Sequence, residues 1–182
     1  LLEAPPVVTG GLLADEMGLG KTVTTLALVA SDLADDPRDL SAAGLVARVK
    51  GAETIYRGGT LVVVPVSLYV QWQEEIKAKA PGLSCFAFDP ARELAAGAKR
   101  VKAADLARYD VVVVKMPEIQ KIAARTAGRN TALTKLVWRR VIVDEAQYVR
   151  NDTAQIAQAV HVLEHDHTWM LSGTPLTNRL DD

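Results

Sequence analysis

Gly18, Gly20, Lys21 and Thr22 are the residues of this chain whose types and spacing most directly predict chemistry. They close the stretch LLADEMGLGKT at residues 12–22, and a helix-forming series follows. Glycines let a backbone curl around an anion without Cβ clashes, and a helix start adds unpaired N–H groups and the positive end of its dipole. The lysine can reach the β- and γ-phosphates of a nucleotide, while the threonine hydroxyl can hold Mg²⁺. The stretch therefore predicts a nucleotide-binding loop.

Asp15 is a departure from the general phosphate-loop pattern. That pattern has a glycine five residues before its second glycine, and Asp15 stands in that place here. An ordinary strand-to-helix turn would also explain two glycines in front of a helix. The sequence Gly-Lys-Thr at the opening of a helix favours the phosphate loop over that turn.

Asp144 and Glu145 could complete the same site. They follow the apolar run at residues 141–143, so a buried strand would end on two carboxylates. One carboxylate at that place can hold Mg²⁺, usually through water, and its neighbour can orient or deprotonate the attacking water. Alone, the pair could be a solvated turn; together with the loop it predicts the two halves of one Mg²⁺–nucleotide site.

Short apolar runs that alternate with helix-like segments must position these groups. TLVVV at 60–64 and DVVVV at 110–114 are typical of strands buried on both faces. Strands are predicted at 12–14, 60–64, 84–88, 110–114, 140–143 and 167–171, with helices that end near 33, 80, 124 and 163. Strands joined by such helices imply parallel pairing with right-handed crossovers. The fold class is therefore α/β, a three-layer sandwich with a mainly parallel sheet.

The polar clusters of the sequence follow predicted strands. They are the loop after Ala14 and the segments 65–67, 115–118, 144–147 and 172–175. In parallel sheets ligands collect at the carboxyl ends of the strands. We therefore expect one functional face at one edge of the sheet.

The length of 182 residues fits one domain. A polar stretch at about 35–59 contains several glycines and is predicted to be a surface insertion whose middle, 42–49, makes one or two helical turns. Because the chain starts at Leu1 without an initiator methionine, we expect a fragment of something longer.

The composition is that of a folded domain without a global basic field. Hydrophobic residues make up 49% and charged residues 24%, and 21 basic against 22 acidic residues give a net charge of −1. Any contact with nucleic acid must therefore come from a local face. Cys85 is the only cysteine, which suits a reducing compartment and leaves no disulfide framework. The longest apolar stretch, 61–70, is too short and too interrupted for a membrane span.

Four stretches together resemble a known family. DEMGLGKT, LVVVPVSLYVQW, VIVDEAQ and LSGTPLTN are similar, in this order, to motifs I, Ia, II and III of the SWI/SNF-type DNA-dependent ATPases of helicase superfamily two. The resemblance covers residues 11–178, and it makes Asp15 a mark of the family, whose loop lacks the first glycine. It implies a RecA-like P-loop NTPase lobe, the first of two, and the second lobe is absent from the chain.

The resemblance also implies a role for each matching residue, with ATP and Mg²⁺ as cofactors. Catalysis falls to Lys21, Asp144 and Glu145, and the metal is held by Thr22 and Asp144. The nucleotide-binding residues implied are Asp15, Gly18, Leu19, Gly20, Lys21 and Thr22. Gln147, Ser172 and Thr174 would couple the nucleotide state to the DNA-facing surface. Pro65, Val66 and Ser67 would lie along the DNA backbone, where short polar side chains and amides grip phosphates without reading sequence.

Three further positions, Trp72, Gln147 and Lys115, lie within the stretch that resembles the family. Trp72 shares a predicted helix face with Leu68 and Ile76, so we interpret it as a core residue and not as a base-stacking platform. Gln147 stands where most relatives have histidine; glutamine keeps a donor and an acceptor but cannot be protonated. Lys115, in a segment that departs from the family pattern, could meet a phosphate or simply be solvated.

The function implied is that of a double-stranded-DNA translocase that couples ATP hydrolysis to tracking along the duplex, in chromatin remodelling or DNA repair. The implied partners are double-stranded DNA, nucleosomes or replication and repair factors, and the second RecA-like lobe. The implied location is the nucleus, with no membrane contact. The subgroup that the chain most resembles is the SHPRH-like one, whose members also carry a RING ubiquitin-ligase module. This resemblance rests on the insertion and on Gln147, Trp138, Arg139 and Arg140.

Three other functions compete. An RNA helicase of the same superfamily would share the lobe, but such relatives have Ser-Ala-Thr where Ser172 to Thr174 stand. A small-molecule P-loop kinase would use Lys21 and Asp144 but would leave segments 65–67 and 172–175 without a role. A non-catalytic nucleotide- or DNA-binding fragment is the third, although Lys21 and Glu145 are intact.

Overall fold

The computed structural model describes residues 9–35, 41, 44–50, 53–91, 97, 100–124, 131–146 and 153–173. Within these ranges the strands are β1 (Gly10–Leu13), β2 (Val46–Lys50), β3 (Glu53–Val64), β4 (Cys85–Phe88), β5 (Val111–Lys115), β6 (Leu136–Val143) and β7 (Glu164–Leu171). The α-helices are α1 (Lys21–Asp35), α2 (Tyr69–Lys79), α3 (Ala103–Leu106), α4 (Met116–Ala124) and α5 (Thr153–Val162), and 3₁₀-helices span Val66–Leu68 and Leu133–Lys135. None of the helices in the described ranges is long and apolar enough to cross a membrane.

One seven-stranded sheet holds these elements together. Its order is β1-β7-β6-β3-β5-β4, and every neighbouring pair on this path is parallel. The strand β2 pairs with β3 in the antiparallel direction. The predicted α/β fold with a mainly parallel sheet is therefore confirmed.

Alternate residues of the central strand face opposite layers of helices. Leu61 and Val63 belong to one apolar cluster with residues of α3, α4 and α5, whereas Val62 and Val64 belong to another with residues of α1 and α2. All four side chains are at most 1% exposed, as expected for a strand that is buried on both faces. The predicted three-layer sandwich is present.

The stretch predicted as an insertion at 35–59 contributes to the sheet. Its later half contains β2 and the first half of β3, and Leu45 and Ile55 are buried in the core. The helical turns predicted for 42–49 are wrong, since β2 occupies 46–50. Gly58 is one of the glycines of the predicted insertion, but it lies within β3. A Cβ there would come 2.8 Å from the ring of Trp138, and only glycine permits that approach.

Like β3, the strands β6 and β7 begin well before the sequence predicts. The strand β6 begins at Leu136 and β7 at Glu164, before the continuous apolar runs. In these first halves buried or half-buried residues alternate with more exposed ones, as in Trp138 and Arg139. A prediction that follows apolar runs misses such alternating segments.

A short polar residue such as Ser67 is a common N-cap for the helix that follows it. Ser67 does not cap this helix but lies inside the 3₁₀ turn Val66–Leu68, and α2 begins at Tyr69 with Leu68 as its N-cap. Trp72 and Ile76 are buried on its inner face, at 2% and 1% exposure, which confirms the core interpretation of Trp72.

Candidate nucleotide site

The parallel sheet brings the predicted site segments to one edge. Leu13 at the end of β1 is in register with Leu171 of β7, and Val143 of β6 is in register with Val63 of β3. The backbone N–H of Ser172 donates to the carbonyl of Leu13 at 3.1 Å. The loop at 14–20, the acidic pair after β6 and the segment after β7 therefore leave the sheet side by side.

The loop uses its two glycines for their backbone conformation. Gly18 and Gly20 both have φ of +87°, and no atom lies within 4 Å of where a Cβ would stand. Glycine is needed here because of the left-handed φ and not because of crowding. The helix α1 starts at Lys21, so its first unpaired N–H groups face the concave side of the loop.

The side chain of Lys21 folds back across the loop. Its Nζ donates to the carbonyl oxygens of Asp15 at 2.7 Å and Glu16 at 3.0 Å. Asp15 thus contributes through its backbone to the position of the ammonium group. These two hydrogen bonds hold the Lys21 ammonium group near the place where phosphate oxygens would lie. An anion bound in the loop would replace the two carbonyls as the acceptor.

The Asp144 carboxylate is buried between two hydrogen-bond donors. Its Oδ2 accepts the indole N–H of Trp72 at 2.7 Å, and its Oδ1 accepts the backbone N–H of Glu145 at 2.8 Å. Burial raises the pKa of Asp144, while these two donors and the charge of Lys21 oppose the shift. Each oxygen keeps a lone pair, so the carboxylate can still accept a hydrogen bond from a metal-bound water.

Glu145 has an unusual backbone conformation. Its φ is 51° and its side chain is 8% exposed. Such a conformation costs energy in a residue other than glycine, and it occurs preferentially at functional sites. The backbone N–H of Glu145 is directed toward Asp144, and Glu145 lies on the wall of the cavity beside the loop.

Thr22 lies beside Glu75 of α2 in the lining of the same cavity. The Glu75 carboxylate accepts hydrogen bonds from Gln71 at 2.8 Å and from Lys79 at 2.9 Å. Burial alone would raise the pKa of Glu75, but the polar and charged side chains around it, Thr22 among them, outweigh burial and the pKa is lowered. A hydroxyl beside a carboxylate can only donate to it, so the lone pairs of the Thr22 oxygen remain for a cation.

A cavity of about 320 Å³ lies between the loop, α2 and the end of β6. It is within the usual size of small-molecule sites, about 300–1,000 Å³. Its lining includes Gly18, Gly20, Lys21, Thr22, Trp72, Glu75, Asp144 and Glu145. An ammonium group, a hydroxyl oxygen and a carboxylate with free lone pairs are the groups that a nucleotide phosphate and Mg²⁺ require, so these residues fit both.

The predicted coupling residues are only partly described. Ser172 is buried at the end of β7, while Gln147 and Thr174 lie outside the described residues. A Cβ on the neighbouring Gly173 would lie 3.2 Å from Met17 and 3.7 Å from the Lys21 ammonium. The segment after β7 therefore contacts the loop, and the coupling role stays a prediction.

The predicted DNA-contacting residues lie at the same edge. Pro65, Val66 and Ser67 follow β3 directly, and Val66 is 60% exposed. Their role also stays a prediction. Lys115, at the end of β5, forms an ion pair with Asp89 and lies 4.7 Å above the ring of Tyr69, so neither a free phosphate partner nor a solvated lysine describes it.

Trp72 and Glu75 are the residues of the cavity whose part in the site the sequence did not reveal. Both lie on α2, three positions apart, so they project toward the same side of the helix. Two signals in the sequence could have pointed to them. A buried indole N–H, as in Trp72, usually has a hydrogen-bond partner. Glu75 is a carboxylate about one turn later on the same helix, directly after motif Ia. Neither signal identifies which residue is contacted.

Comparison with known proteins agrees with this geometry. A family model described as the SNF2-related domain matches residues 4–182. Transcription termination factor 2 of Drosophila melanogaster is 35% identical over 190 residues, which cover 93% of this chain and 17% of that protein. DNA repair protein RAD5 of Eremothecium gossypii is 34% identical over 192 residues, which cover 97% of this chain and 18% of that protein.

A solved structure is similar as well. The Sulfolobus solfataricus SWI2/SNF2 ATPase core in complex with dsDNA superposes with a TM-score of 0.67 at 28% identity, over 96% of this chain and 30% of that one. The chain thus spans less than a fifth of the length of the two curated relatives.

Proposed function

This chain belongs to the family of SNF2-related domains, and from that premise we propose that it is the ATP-binding lobe of a SWI/SNF-type double-stranded-DNA translocase. Membership of this family implies nucleotide binding. The finer statements, ATP as the nucleotide, Mg²⁺ as the metal and duplex DNA as the track, are part of the proposal.

The observation that carries the proposal is the single cavity that joins the loop to the acidic pair. Lys21 and Thr22 come from the start of α1, and Asp144 and Glu145 come from the end of β6. A cation, a hydroxyl and two carboxylates around one cavity of this size support nucleotide hydrolysis over simple nucleotide binding.

Each residue of the chain has a distinct part in this chemistry. Lys21 places its positive charge at the β- and γ-phosphates, and the loop amides hold the same oxygens. Thr22 and Asp144 would hold the cation, directly or through water, and Mg²⁺ held there would supply positive charge beside the phosphates. Glu145 orients the attacking water and accepts its proton.

The DNA-facing part of the proposal depends on Pro65, Val66 and Ser67. They are placed at the same edge as the cavity, and backbone groups and a short hydroxyl suit contacts to phosphates that carry no sequence information. The relatives, a transcription termination factor and a DNA repair protein, support action on DNA, and we propose the nucleus as its location. Nucleosomes, repair factors and a second RecA-like lobe are the proposed partners.

The test is the ATPase rate of the full-length protein with no nucleic acid, with duplex DNA and with RNA. We expect duplex DNA to stimulate turnover, and Lys21→Ala to reduce the stimulated rate by about 10²- to 10³-fold, as for other lost transition-state charges. Lys121→Ala, which removes an exposed lysine on α4, is the matched control and should leave the rate unchanged.

Other outcomes would favour the competing functions. Stimulation by RNA and not by DNA would indicate an RNA helicase lobe. Phosphate transfer to a small molecule without nucleic acid would indicate a kinase, and nucleotide binding without turnover under all conditions would indicate a non-catalytic module.

A further inference from the structure

Trp72 connects α2 to the acidic end of β6. Its indole N–H donates to Oδ2 of Asp144 at 2.7 Å, and both side chains are buried, at 2% and 7% exposure. The proposed chemistry assigns Trp72 no role. A hydrogen bond between a neutral donor and a buried carboxylate is worth more than an ordinary one, and its loss would leave one oxygen without a donor.

The bond determines how the carboxylate is oriented. Oδ1 of Asp144 is held by the backbone N–H of Glu145, and Oδ2 is held by Trp72. With one donor on each oxygen, the plane of the carboxylate is fixed and the remaining lone pairs point in defined directions. With the Glu145 donor alone, the group could rotate about its Cβ–Cγ bond.

The indole itself is held rigidly. Trp72 packs in the apolar cluster that contains Val64, Ile142 and Leu171 on the face of the sheet. A side chain whose rotamer is locked by packing can hold a partner within the small tolerance that a metal site requires. Three residues later on the same helix, Glu75 lines the same cavity as Thr22, so α2 lies beside both residues that are proposed to bind the cation.

We propose that Trp72 is a positioning residue of this site, and that its indole N–H fixes the Asp144 carboxylate in the orientation in which it receives a divalent cation with its water. This inference rests on the proposed function, because it needs Asp144 to be a metal-binding residue. It adds a residue from α2 to a site otherwise built from α1 and β6.

The experiment compares Trp72→Phe with Trp138→Phe in the full-length protein. Trp138 is the matched control: it is also fully buried, and its N–H donates to the backbone carbonyl of Leu133 at 3.1 Å, away from the cavity. Each variant therefore loses one buried indole hydrogen bond. Binding of fluorescent ADP is followed by anisotropy while Mg²⁺ is titrated, so the readout is metal affinity and not turnover.

We expect Trp72→Phe to raise the Mg²⁺ concentration at half-saturation by about 10- to 100-fold, as is found for other residues that support metal ligands. Nucleotide binding at saturating Mg²⁺ should be retained, and Trp138→Phe should leave the Mg²⁺ dependence unchanged. An unchanged Mg²⁺ dependence in Trp72→Phe, or an equal change in both variants, would overturn the inference while the proposed function stands.

If wild-type protein binds fluorescent ADP without any Mg²⁺ dependence, the metal role of Asp144 fails and the inference fails with it. If Trp72→Phe does not fold, 3-benzothienylalanine is incorporated at position 72 instead. That side chain has the shape of tryptophan without its N–H, so the same shift is expected and the same unchanged result would contradict it.

Discussion

At the scale of single residues, contacts within the loop hold the side chains of the candidate site in place. Lys21 is hydrogen-bonded to the backbone carbonyls of Asp15 and Glu16, and Thr22 lies beside Glu75 in the lining of the cavity. The ammonium group is therefore held near the place where phosphate oxygens would lie. Such preorganisation lowers the cost of ordering on binding.

The left-handed glycines give a direct prediction. Gly20→Ala places a Cβ at φ +87°, where nothing crowds it, so the cost is conformational and about 1–2 kcal/mol. We expect the loop to lose nucleotide affinity and the free energy of unfolding to fall by that order, as measured by calorimetric titration and urea denaturation.

Gly82→Ala is the matched control, because Gly82 also has open space around its Cβ position but lies outside the left-handed region. It should be neutral or slightly stabilising. Equal losses of nucleotide affinity in both variants would contradict the conformational argument for Gly20.

At the scale of elements, α1 is fixed at both of its ends. It begins at Lys21 in the loop, and near its other end Asp32 forms ion pairs with Arg139 and Arg140 of β6. The Arg140 side chain is 5% exposed, so it depends on Asp32 for charge compensation. The contact ties the helix that presents Lys21 to the strand that presents Asp144.

Asp32→Asn should therefore destabilise the fold by about 2 kcal/mol, because a buried guanidinium loses its charged acceptor. Urea denaturation measures this change. The control is Glu164→Gln, which breaks the ion pair with Arg48, where both side chains are about half exposed. That change should be much smaller, since exposed ion pairs contribute little.

The same ion pair predicts a pH dependence. Burial alone would raise the pKa of Asp32, but the hydrogen bonds and charges of Arg140 and Arg139 lower it below its ordinary value of 3.8. A lowered pKa stabilises the folded state above the unfolded-state pKa, and this stabilisation is lost as the pH falls through the folded-state pKa. The stability difference between wild type and Asp32→Asn should be constant from neutral pH to about pH 5 and shrink below about pH 4. A difference that grows on acidification would contradict the ion pair.

At the scale of the whole molecule, the groups of the candidate nucleotide site come from one edge of the sheet. The described lining of the cavity comes from the loop, α2 and the end of β6, and Met17, Leu19 and Val66 at the same edge are exposed apolar residues. In the proposed translocase, a second lobe would face this edge and contribute arginines to the phosphates.

Residues 1–182 alone should therefore bind nucleotide weakly and hydrolyse it very slowly. An arginine supplied by another lobe or protein is worth about 10³- to 10⁵-fold in rate. We therefore expect the ATPase rate of the isolated chain to be lower than that of the full-length protein by this factor. Single-turnover ATPase measurements with and without duplex DNA test this, and the Lys21→Ala variant gives the background rate. Robust DNA-stimulated turnover by residues 1–182 would refute it.

The amino-acid sequence was sufficient to predict the chemical groups of the candidate site and the edge of the sheet at which they meet. Gly18 to Thr22 predict a phosphate loop from residue type alone, and Asp144 and Glu145 follow an apolar run that is typical of a buried strand. Parallel strands place their carboxyl ends together, so this much follows from order and composition. The family resemblance rests on the same residues.

Which side chains are in contact depends on the tertiary structure. Helical periodicity placed Trp72 in the core but could not reveal Asp144 as its partner, because that contact depends on where α2 lies on the sheet. The same is true of Glu75 with Thr22 and of Asp32 with Arg140. The sequence could not reveal why residue 58 is a glycine, because the ring of Trp138 that excludes a larger residue there lies on another strand. Local pattern fixes which face is buried, whereas contacts between distant residues depend on strand order and register.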